Sequence, residues 1–533
     1  MSCLPFSRVS SAASPRRATI DAQLAELSRQ VALLKSERNS LAPISALPNE
    51  LLVRILAAFT AGTRNHMRSP SSLARLMLVC RHWSNIIGAF PSLWDEITVW
   101  SHTSMRSLAA QLLRSGGAPI KIYILSFYSL YTPLVLANAA RIKALDLGGN
   151  PGDLAAFMQN MQEVDFPSLS SLALAAHEAD QSEPAVHLHR DLLGRMPSLC
   201  HLSLRDVDAP WQYLPPLRSL RLSVRRAASL DLLPLAALFN LLQCSPDLHT
   251  LKLEGVIDTG SVNSSLRADL PHLKLLHLSE TLSHCEELID RLNFPASARL
   301  QLCPRYISNA EDLRHILVPI RNHLRAPLAL IATTMELACR VYNGTHCFQA
   351  ATYLCTSTSI QPHDDALFVI NASSASAVAL CEIMDKVFTA IPTHTITHLD
   401  VTMAILAPDT WKFVFALLPG IQTVRIGVGA EGKGFCDGVV VAGITLHTVN
   451  VLALLPSDEE KAVSAEEFLD ALMRMLRHWD SIGKRLARLH FDDFFRLLEI
   501  TGTRGAEIES LVDTLVVESE GGTTVSVSPV YHV

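Results

Sequence analysis

Beyond residue 100, aliphatic and polar residues alternate in a recurring L-x-x-L-x-L pattern. Alternation with a period of two predicts a strand with one buried face. The clearest copies are Ile142/Leu145/Leu147, Leu169/Leu172/Leu174, Leu199/Leu202/Leu204, Leu217/Leu220/Leu222, Leu248/Leu251/Leu253 and Leu273/Leu276/Leu278. Weaker copies begin at Ile396, Ile421, Leu446 and Leu486. Most neighbouring copies begin about 25 to 30 residues apart, a length typical of repeats that combine a strand with a returning helix.

The segments between these strands vary in length and character. Residues 191–196, 235–242 and 374–387 have helical patterns. The copy at Leu217 begins only 18 residues after the copy at Leu199, which predicts an abbreviated unit. Residues 303–395 show no clear repeat. An irregular α/β domain with parallel strands is therefore an alternative to a regular repeat array.

A different periodicity precedes the repeats. The apolar residues Ile20, Leu24, Leu27, Val31 and Leu34 alternate spacings of four and three, which predicts a coiled-coil-like helix over residues 20–42. Arg38 interrupts this stripe and Pro43 ends it. The helix could form a dimer or fold back onto the segment that follows. Residues 1–19, which are rich in serine and arginine and lack acidic residues, predict a disordered tail.

Residues 43–100 have the pattern of a small helical module. A first helix is expected from Pro48, with paired aliphatic residues on one face. A second is expected after Pro70, capped by Ser71 or Ser72 and stopped by Gly88. Residues 57–72 predict an exposed loop insertion, and residues 91–94 predict a short anchoring turn. So few short helices bury little surface, which favours a docking role.

This module resembles an F-box. The residues that carry the resemblance are Leu47, Pro48, Glu50, Leu51, Leu52, Ile55, Leu56, Val79, Cys80, Arg81, Trp83, Leu93 and Trp94. The resemblance implies binding to the Skp-family adaptor of a cullin-based ubiquitin ligase. The positions expected to face or support the adaptor are Leu47, Pro48, Leu51, Leu52, Ile55, Leu56, Val79, Cys80 and Leu93. Trp83 and Trp94 are expected to pack the module itself.

Residues 101–533 resemble an irregular leucine-rich-repeat solenoid of the kind that often follows an F-box. The Asn or Cys that closes each strand in that family is mostly missing here. The expected fold class is therefore α + α/β: an N-terminal helix and a helical F-box, followed by an irregular α/β solenoid with a parallel sheet. The expected domains are 1–19, 20–42, 43–100 and 101–533, with 303–395 irregular.

The polar positions within the repeated strands predict a basic groove. In such strands the residues between the leucines face the concave side, where stacking aligns equivalent positions. One column is Ala173, Ser203, Arg221, Lys252 and His277, and the other is Ser170, Cys200, Arg218, His249 and Lys274. Arg218, Arg221, Lys252, Lys274 and His277 are thus candidate contacts for an acidic or phosphorylated target. The alternative is a solvated basic strip balanced by acids elsewhere.

Composition limits the remaining possibilities. Hydrophobic residues make up 49% of the 533 residues and charged residues 18%, so much of the chain must be buried. No apolar run is long enough to span a membrane. The 11 cysteines form no C-x-x-C pair, which favours reduced thiols in the cytoplasm or nucleus over disulfides or zinc. The net charge of −6 gives no reason to expect nucleic-acid or membrane binding.

No constellation of catalytic residues is evident. Gly427, Gly429, Gly432 and Lys433 nearly form a phosphate-binding loop, but Gly434 replaces the required Ser or Thr. The residues that follow predict a turn and a strand rather than a helix, so a loop between strands is expected. His187 and His189 lack the flanking ligands of a metal site and are expected to be surface histidines. We therefore predict no catalytic residue, metal or cofactor.

These observations favour a non-enzymatic substrate adaptor over two alternatives. The first alternative is a scaffold that uses its F-box outside any ligase. The second is an enzyme built around the glycine-rich segment. As an adaptor, the chain would link a target to the ligase through protein contacts alone, without nucleic acid or membrane.

Overall fold

The computed structural model describes fourteen segments of the chain. They are residues 13–61, 70–101, 103–177, 186–225, 232–258, 266–304, 311–327, 329–342, 345–354, 366–374, 377–452, 460–492, 504–518 and 524–527. The chain forms two compact units, 1–199 and 200–533. Each unit is built around its own run of hydrogen-bonded strands.

The first unit joins short helices to a parallel sheet. Its α-helices are α1 (Ala13–Ser40), α2 (Asn49–Ala61), α3 (Pro70–Met77), α4 (Arg81–Ala89), α5 (Met105–Arg114), α6 (Thr132–Leu136), α7 (Pro151–Met161) and α8 (Arg190–Gly194). Its strands are β1 (Glu96–Val99), β2 (Ile120–Phe127), β3 (Ile142–Gly149), β4 (Ser171–Ala176) and β5 (Val186–His187). Strands β1 to β4 pair in chain order, and every pairing is parallel. The sheet thus begins earlier than the L-x-x-L-x-L pattern indicates, at Glu96.

The helices α2 to α4 enclose a small core. Its buried members are Leu52, Leu56, Leu73, Ile86, Ile87, Leu93 and Trp94. The Trp94 indole Nε1 donates a hydrogen bond to the Ile87 carbonyl at 2.7 Å, and Trp83 packs against the cluster. Both tryptophans therefore pack the module, as expected. The turn at 91–94 is a 3-10 helix that inserts Leu93 and Trp94.

The predicted second helix of this module is in fact two helices. The helix is interrupted between Met77 and Arg81. Cys80 is the N-cap of α4, and its Sγ accepts a hydrogen bond from the Trp83 amide at 3.5 Å. Helix α3 already includes Pro70, so Ser71 and Ser72 are not caps, and Gly88 lies inside α4. The predictions of one continuous helix, a serine cap and a glycine stop were wrong, because Cys80 caps a separate helix, α3 already includes Pro70, and α4 continues to Ala89.

Two predicted boundaries also move. Helix α2 continues to Ala61 and α3 begins at Pro70, so the predicted loop over 57–72 is helical at both ends, and its middle lies outside the described residues. Helix α1 begins by Ala13, so the predicted tail is helical from that residue. Residues 1–12 lie outside the described part of the chain.

The second unit alternates strands and helices. Its strands are β6 (His201–Arg205), β7 (Val207–Asp208), β8 (Ser219–Ser223), β9 (Thr250–Glu254), β10 (Ala268–Asp269), β11 (Leu275–Ser279), β12 (Leu292–Asn293), β13 (Arg299–Leu302), β14 (Thr334–Tyr342), β15 (Thr345–Tyr353), β16 (Phe368–Ser374), β17 (His398–Ala404), β18 (Thr423–Gly427), β19 (Thr448–Leu452), β20 (Arg488–Asp492), β21 (Leu515–Glu518) and β22 (Thr524–Val527). Its helices are α9 (Leu235–Gln243), α10 (Leu282–Arg291), α11 (Arg314–Leu324), α12 (Ala377–Ala390), α13 (Pro408–Leu417), α14 (Ala430–Ala442), α15 (Glu460–Ser481) and α16 (Arg504–Leu511).

The L-x-x-L-x-L copies form strands that stack in register. Leu220 of β8 pairs with Leu251 of β9, which pairs with Leu276 of β11, and each of these leucines is buried. The later, weaker copies pair in the same way through β17, β18, β19 and β20. The predicted leucine-rich-repeat-like fold with a parallel sheet is confirmed.

The predicted abbreviated unit lies between β6 and β8. Within the described residues this connection contains strand β7 and a 3-10 turn at Trp211–Tyr213, with no α-helix. Strands β6 and β8 nevertheless pair in register from His201 with Ser219 to Arg205 with Ser223. The regular sheet is therefore kept while the returning segment shortens.

The irregular region inserts a hairpin into the sheet. Strand β13 pairs with β16, β16 with β15, β15 with β14, and β14 with β17. Strand β15 runs antiparallel to both of its neighbours, whereas β13 to β16 and β14 to β17 are parallel pairings. Residues 303–395 therefore lack the repeat because they fold as an insertion that still continues the sheet.

The glycine-rich segment is a helix, which corrects the predicted loop. Gly429 is the N-cap of α14 with a φ of 140°, a conformation that glycine adopts readily. A Cβ on Gly432 would overlap the Gly427 carbonyl oxygen and lie 2.7 Å from the Phe468 ring. A Cβ on Gly438 would lie 2.6 Å from the Trp411 ring. The glycines therefore let α14 pack closely against its neighbours.

This packing makes a prediction for stability. We expect Gly438→Ala to lower the free energy of unfolding by about 1 to 3 kcal/mol, because the added methyl group overlaps the Trp411 side chain. Gly505→Ala is the matched control, since a Cβ there meets open space on helix α16. The control should be neutral or raise stability by up to about 1 kcal/mol. Thermal and urea unfolding of the full chain measure both, and equal stability of the two variants would contradict this packing.

Candidate functional sites

Helix α2 carries two kinds of aliphatic residue. Leu52 and Leu56 are buried in the module core. Leu51 and Ile55 lie one position earlier in each turn and remain 44% and 46% exposed, and Phe59 continues the exposed row at 63%. The predicted adaptor positions on α2 therefore separate into a row that supports the core and a row open to a partner. Phe59, four residues beyond Ile55, was missed by the sequence analysis.

The turn between α3 and α4 is a second exposed apolar feature. Leu78 is 85% exposed and Val79 is 57% exposed, between the half-buried Met77 and Cys80. Cys80 is half-buried because its Sγ caps α4. Of the other predicted positions, Leu47 is half-buried, Pro48 is exposed and Leu93 is buried. Leu78 directly precedes the predicted Val79 and was also missed.

A cavity of about 630 Å³ lies between this turn and the C-terminal part of α1. The turn side is formed by Met77 to His82 and by Ser84. From α1 the cavity is lined by Ala32, Lys35, Ser36, Asn39 and Ser40. None of the predicted coiled-coil positions of α1 lines this cavity. The helix therefore faces the module with a different side from its apolar stripe.

The predicted basic groove is assembled by strand register. Arg221 of β8 pairs with Lys252 of β9, and Lys252 pairs with His277 of β11. The second row is linked through the backbone: the His249 amide donates to the Arg218 carbonyl at 2.8 Å, and the Lys274 amide donates to the His249 carbonyl at 2.8 Å. We call Arg218, Arg221, Lys252, Lys274 and His277 the basic patch. Ser170 and Ala173, which begin the two predicted columns, belong to the first unit.

The side chains of the basic patch differ in whether they have a charged or polar partner. Arg218 and Arg221 are exposed, and neither forms an ion pair with another described residue. His277 is engaged, because its Nδ1 lies 3.0 Å from Gln301 Oε1 and its Nε2 lies 3.5 Å from Glu254 Oε1. The two arginines and Lys274, which is also exposed and has no ion pair with another described residue, are therefore open to an anionic ligand.

The pKa of His201 is sensitive to the positive charges near it. Burial lowers the pKa of His201, and the nearby Arg218, Arg221 and His249 lower it further. This histidine lies on β6 beside the patch and was not among the predicted contacts. Positive side chains disfavour an additional charge on the imidazole, as they would favour a bound anion.

Two other basic side chains on the strands pair with acidic residues. Arg425 of β18 lies 3.6 Å from Asp400 of β17, and both side chains are mostly buried. Lys121 of β2 pairs with Glu96 of β1 at 2.8 Å. The arginines of the basic patch have no such partner among the described residues.

A second cavity, of about 470 Å³, lies where the β14–β15 hairpin enters the sheet. Its lining includes Cys303, Glu336 and Asn371. The Tyr353 hydroxyl donates to Glu336 at 2.7 Å, and Asn371 Nδ2 donates to Cys303 Sγ at 3.1 Å. Burial raises the pKa of Cys303 to about 11, so the thiol is protonated near neutral pH. These contacts are those of a packed polar cluster rather than of a reactive thiol.

The candidate phosphate-binding and metal-binding residues of the sequence are held in packing contacts or lie exposed on the surface. Lys433 forms an ion pair with Glu467 at 2.7 Å, and Gly432 is packed against Phe468, so the start of α14 is occupied by helix α15. His187 lies on β5 and His189 is the N-cap residue of α8, and both are exposed. Among the described residues, no three His, Cys, Asp or Glu side chains are grouped to hold a metal ion. None of the described helices is long and apolar enough to cross a membrane.

Comparison with known proteins identifies the helical module. Residues 44–99 match the family model of F-box-like domains. The chain therefore contains an F-box-like domain, and its repeated parallel strands form a leucine-rich-repeat-like sheet. No curated protein matches the chain.

Among solved structures, the chain is similar to the leucine-rich repeat-containing protein LegL7 from Legionella pneumophila. The identity is 13%, over 81% of this chain and 92% of that chain, with a TM-score of 0.21. The repeat fold of this chain is established by its own strand register.

The position of His201 predicts a measurable shift. We expect Arg221→Gln to raise the pKa of His201, because removing a nearby positive charge favours the protonated imidazole. NMR titration of the histidine ring signals, assigned with His201→Gln, measures the effect. Arg267→Gln, an exposed arginine outside the patch, should leave that pKa unchanged. An unchanged value in Arg221→Gln would show that the patch does not act on His201.

Proposed function

We propose that this protein is a substrate-recognition adaptor of a cullin-based ubiquitin ligase. Its F-box-like domain would bind a Skp-family adaptor and, through it, a cullin. Its repeat sheet would hold a target protein in the cytoplasm or nucleus. F-box and leucine-rich-repeat domains generally act in protein interaction, and the match of residues 44–99 to the F-box-like family is the observation that carries the proposal.

The exposed row of α2 supports the adaptor contact. Leu51 and Ile55 keep nearly half of their surface open although their neighbours Leu52 and Leu56 fill the core. A small module gains little by exposing aliphatic side chains to water, and interface anchors are typically apolar residues that a partner desolvates. Phe59, Leu78 and Val79 add exposed apolar surface on the same module. We therefore assign the adaptor contact to exposed residues and a supporting role to Leu52, Leu56 and Leu93.

The basic patch supports the target contact. Guanidinium groups bind carboxylates and phosphates through two parallel hydrogen bonds, which makes arginine well suited to acidic or phosphorylated segments. Arg218 and Arg221 are exposed and unpaired within the described chain. The rows extend over β8, β9 and β11, so an extended segment could contact several strands. An acidic or phosphorylated protein segment is the target class that this surface favours.

The mechanism would be proximity. An adaptor that binds ligase and target together makes their encounter effectively intramolecular and raises the local concentration of the target. Transfer chemistry would then belong to other subunits of the ligase. The exposed apolar residues of the F-box-like domain and the basic patch differ in character, which would suit the recognition of two different partners.

The adaptor contact predicts a specific loss of binding. We expect the double variant Leu51→Asp, Ile55→Asp to weaken binding of a Skp-family adaptor at least about tenfold, because two apolar anchors become charged. Stability should change little, since both positions are exposed. Leu113→Asp is the matched control, an 82% exposed leucine on α5 outside the F-box-like domain. Co-purification and titration with the purified adaptor measure the effect.

Two outcomes would count against this assignment. Full adaptor binding by the double variant would remove α2 from the interface. Failure of the unaltered protein to bind any Skp-family adaptor would defeat the ligase proposal and favour a scaffold role for the F-box-like domain.

The target contact predicts dependence on charge and salt. We expect Arg218→Glu with Arg221→Glu to lower recovery of acidic or phosphorylated partners at least about tenfold, because charged hydrogen bonds are replaced by repulsion. Recovery by the unaltered protein should also fall as salt is raised. The variant Arg267→Glu with Arg314→Glu is the control, because it changes the net charge equally at exposed positions outside the patch.

Affinity recovery from lysate with quantitative mass spectrometry measures this prediction, with phosphatase treatment in a parallel sample. An identical set of partners for both variants would remove the basic patch from target binding. Adaptor binding, measured in the same samples, should be equal in both variants.

A further inference from the structure

Helix α1 carries an apolar stripe that the described chain leaves uncovered. Its members are Ile20, Leu24, Leu27, Val31 and Leu34, with exposed fractions from 47% to 65%. The helix is a regular α-helix of 28 residues, and its alternating four-three spacing is that of coiled-coil positions a and d. An apolar stripe on an exposed helix gains stability when another helix covers it and removes it from water.

The side of α1 that approaches the F-box-like module is different. Ala32, Ser36 and Asn39 face the cavity beside the α3–α4 turn, and Lys35 lies between that side and the stripe. The alternative that α1 folds its stripe back onto the module is therefore not what the structure contains. The stripe is left for a helix from outside the described chain.

We propose that the stripe is covered by a second copy of this chain, which runs antiparallel to the first. Leu24 and Leu27 of one helix would pack against Leu34 and Val31 of the partner helix, and the same contacts recur by symmetry. This makes four apolar layers in the middle of the helix. A twofold axis near residue 29 relates the two copies, as in an isologous dimer.

The charges beside the stripe favour this orientation. Arg17 and Arg38 occupy a positions at either end of the stripe. In a parallel dimer each arginine would face the same arginine of the second copy, which places like charges together in the core seam. In the antiparallel arrangement Arg38 lies opposite Ile20, with its charged end beside Asp21 of the other helix. The residue that interrupts the apolar pattern thus acquires a partner.

A second pair reinforces the same register. Asp21 and Lys35 occupy e positions, and antiparallel coiled coils bring e positions of the two helices together. Neither side chain forms an ion pair with another described residue. By contrast, Glu26 and Arg29, which lie outside the seam, pair within the helix at 2.6 Å. Asp21 is therefore free to face Lys35 of the second copy, and Lys35 to face its Asp21.

Charge exchange tests this arrangement in the full-length protein. Sedimentation equilibrium should give twice the mass of one chain. Leu27→Asp should give a single chain that still unfolds cooperatively, because Leu27 is exposed and belongs to no core. Asp21→Lys should raise the dimer dissociation constant at least roughly tenfold, since the contacts of this position with Lys35 and Arg38 of the second copy become repulsive. Asp21→Lys with Lys35→Asp should recover the part of the affinity that the contact between positions 21 and 35 supplies, while the repulsion from Arg38 remains.

The outcomes separate the possibilities. In a parallel dimer Asp21 lies beside Arg16 and Lys35 beside Gln30, so the exchanged variant would stay as weak as Asp21→Lys. That result, a monomer at every concentration up to about 100 µM, or a dimer unaffected by Leu27→Asp would each overturn the proposal. Because this test uses mass alone, it is independent of adaptor and target binding.

Discussion

Parallel stacking of the repeated strands is the constraint on which the second unit depends. A strand of five residues has one apolar face and two edges of unpaired amide and carbonyl groups, so it is stable only between neighbours. Stacking in register places Leu220, Leu251 and Leu276 in one buried row. The same register necessarily aligns the residues between them. The row of Arg221, Lys252 and His277 is therefore a geometric consequence of how the leucines are buried.

The F-box-like module follows a different rule. Its helices are too few to bury every aliphatic residue that their sequences contain, so the core takes one row of α2 and leaves the next exposed. Trp94 closes this core through its hydrogen bond to Ile87. The result is a rigid support that carries apolar side chains on its surface. Such a surface suits a protein partner better than it suits water.

The failures of the sequence analysis share a physical cause. The glycine-rich segment was interpreted as a loop because the residues after it have the pattern of a turn and a strand. In the folded chain, Gly432 and Gly438 permit close contacts with Phe468 and Trp411 that no other residue would allow. Cys80 was not recognised as a helix cap because cysteine is a rare one. Tertiary packing overrides local preference in both places.

Two missed elements did leave a signal in the sequence. Strand β2 contains alternating Ile120, Ile122 and Ile124, which predicts a half-buried strand without the leucine repeat. Between β14 and β15 the sequence Asn343-Gly344 is a strong hairpin signal. The order β13–β16–β15–β14–β17 carries no such signal, because strand neighbours so far apart in sequence are chosen by packing.

The sequence by itself determined the elements whose pattern is local and repeated. These are the L-x-x-L-x-L strands, the helix α1 with its apolar stripe, and the F-box motif, because periodicity and motif spacing are properties of neighbouring residues. Only the tertiary structure decided which side chains remain on the surface. Leu51 and Leu52 are adjacent and chemically identical, yet one is exposed and the other buried. That difference depends on where the other helices lie, which no short stretch of sequence encodes.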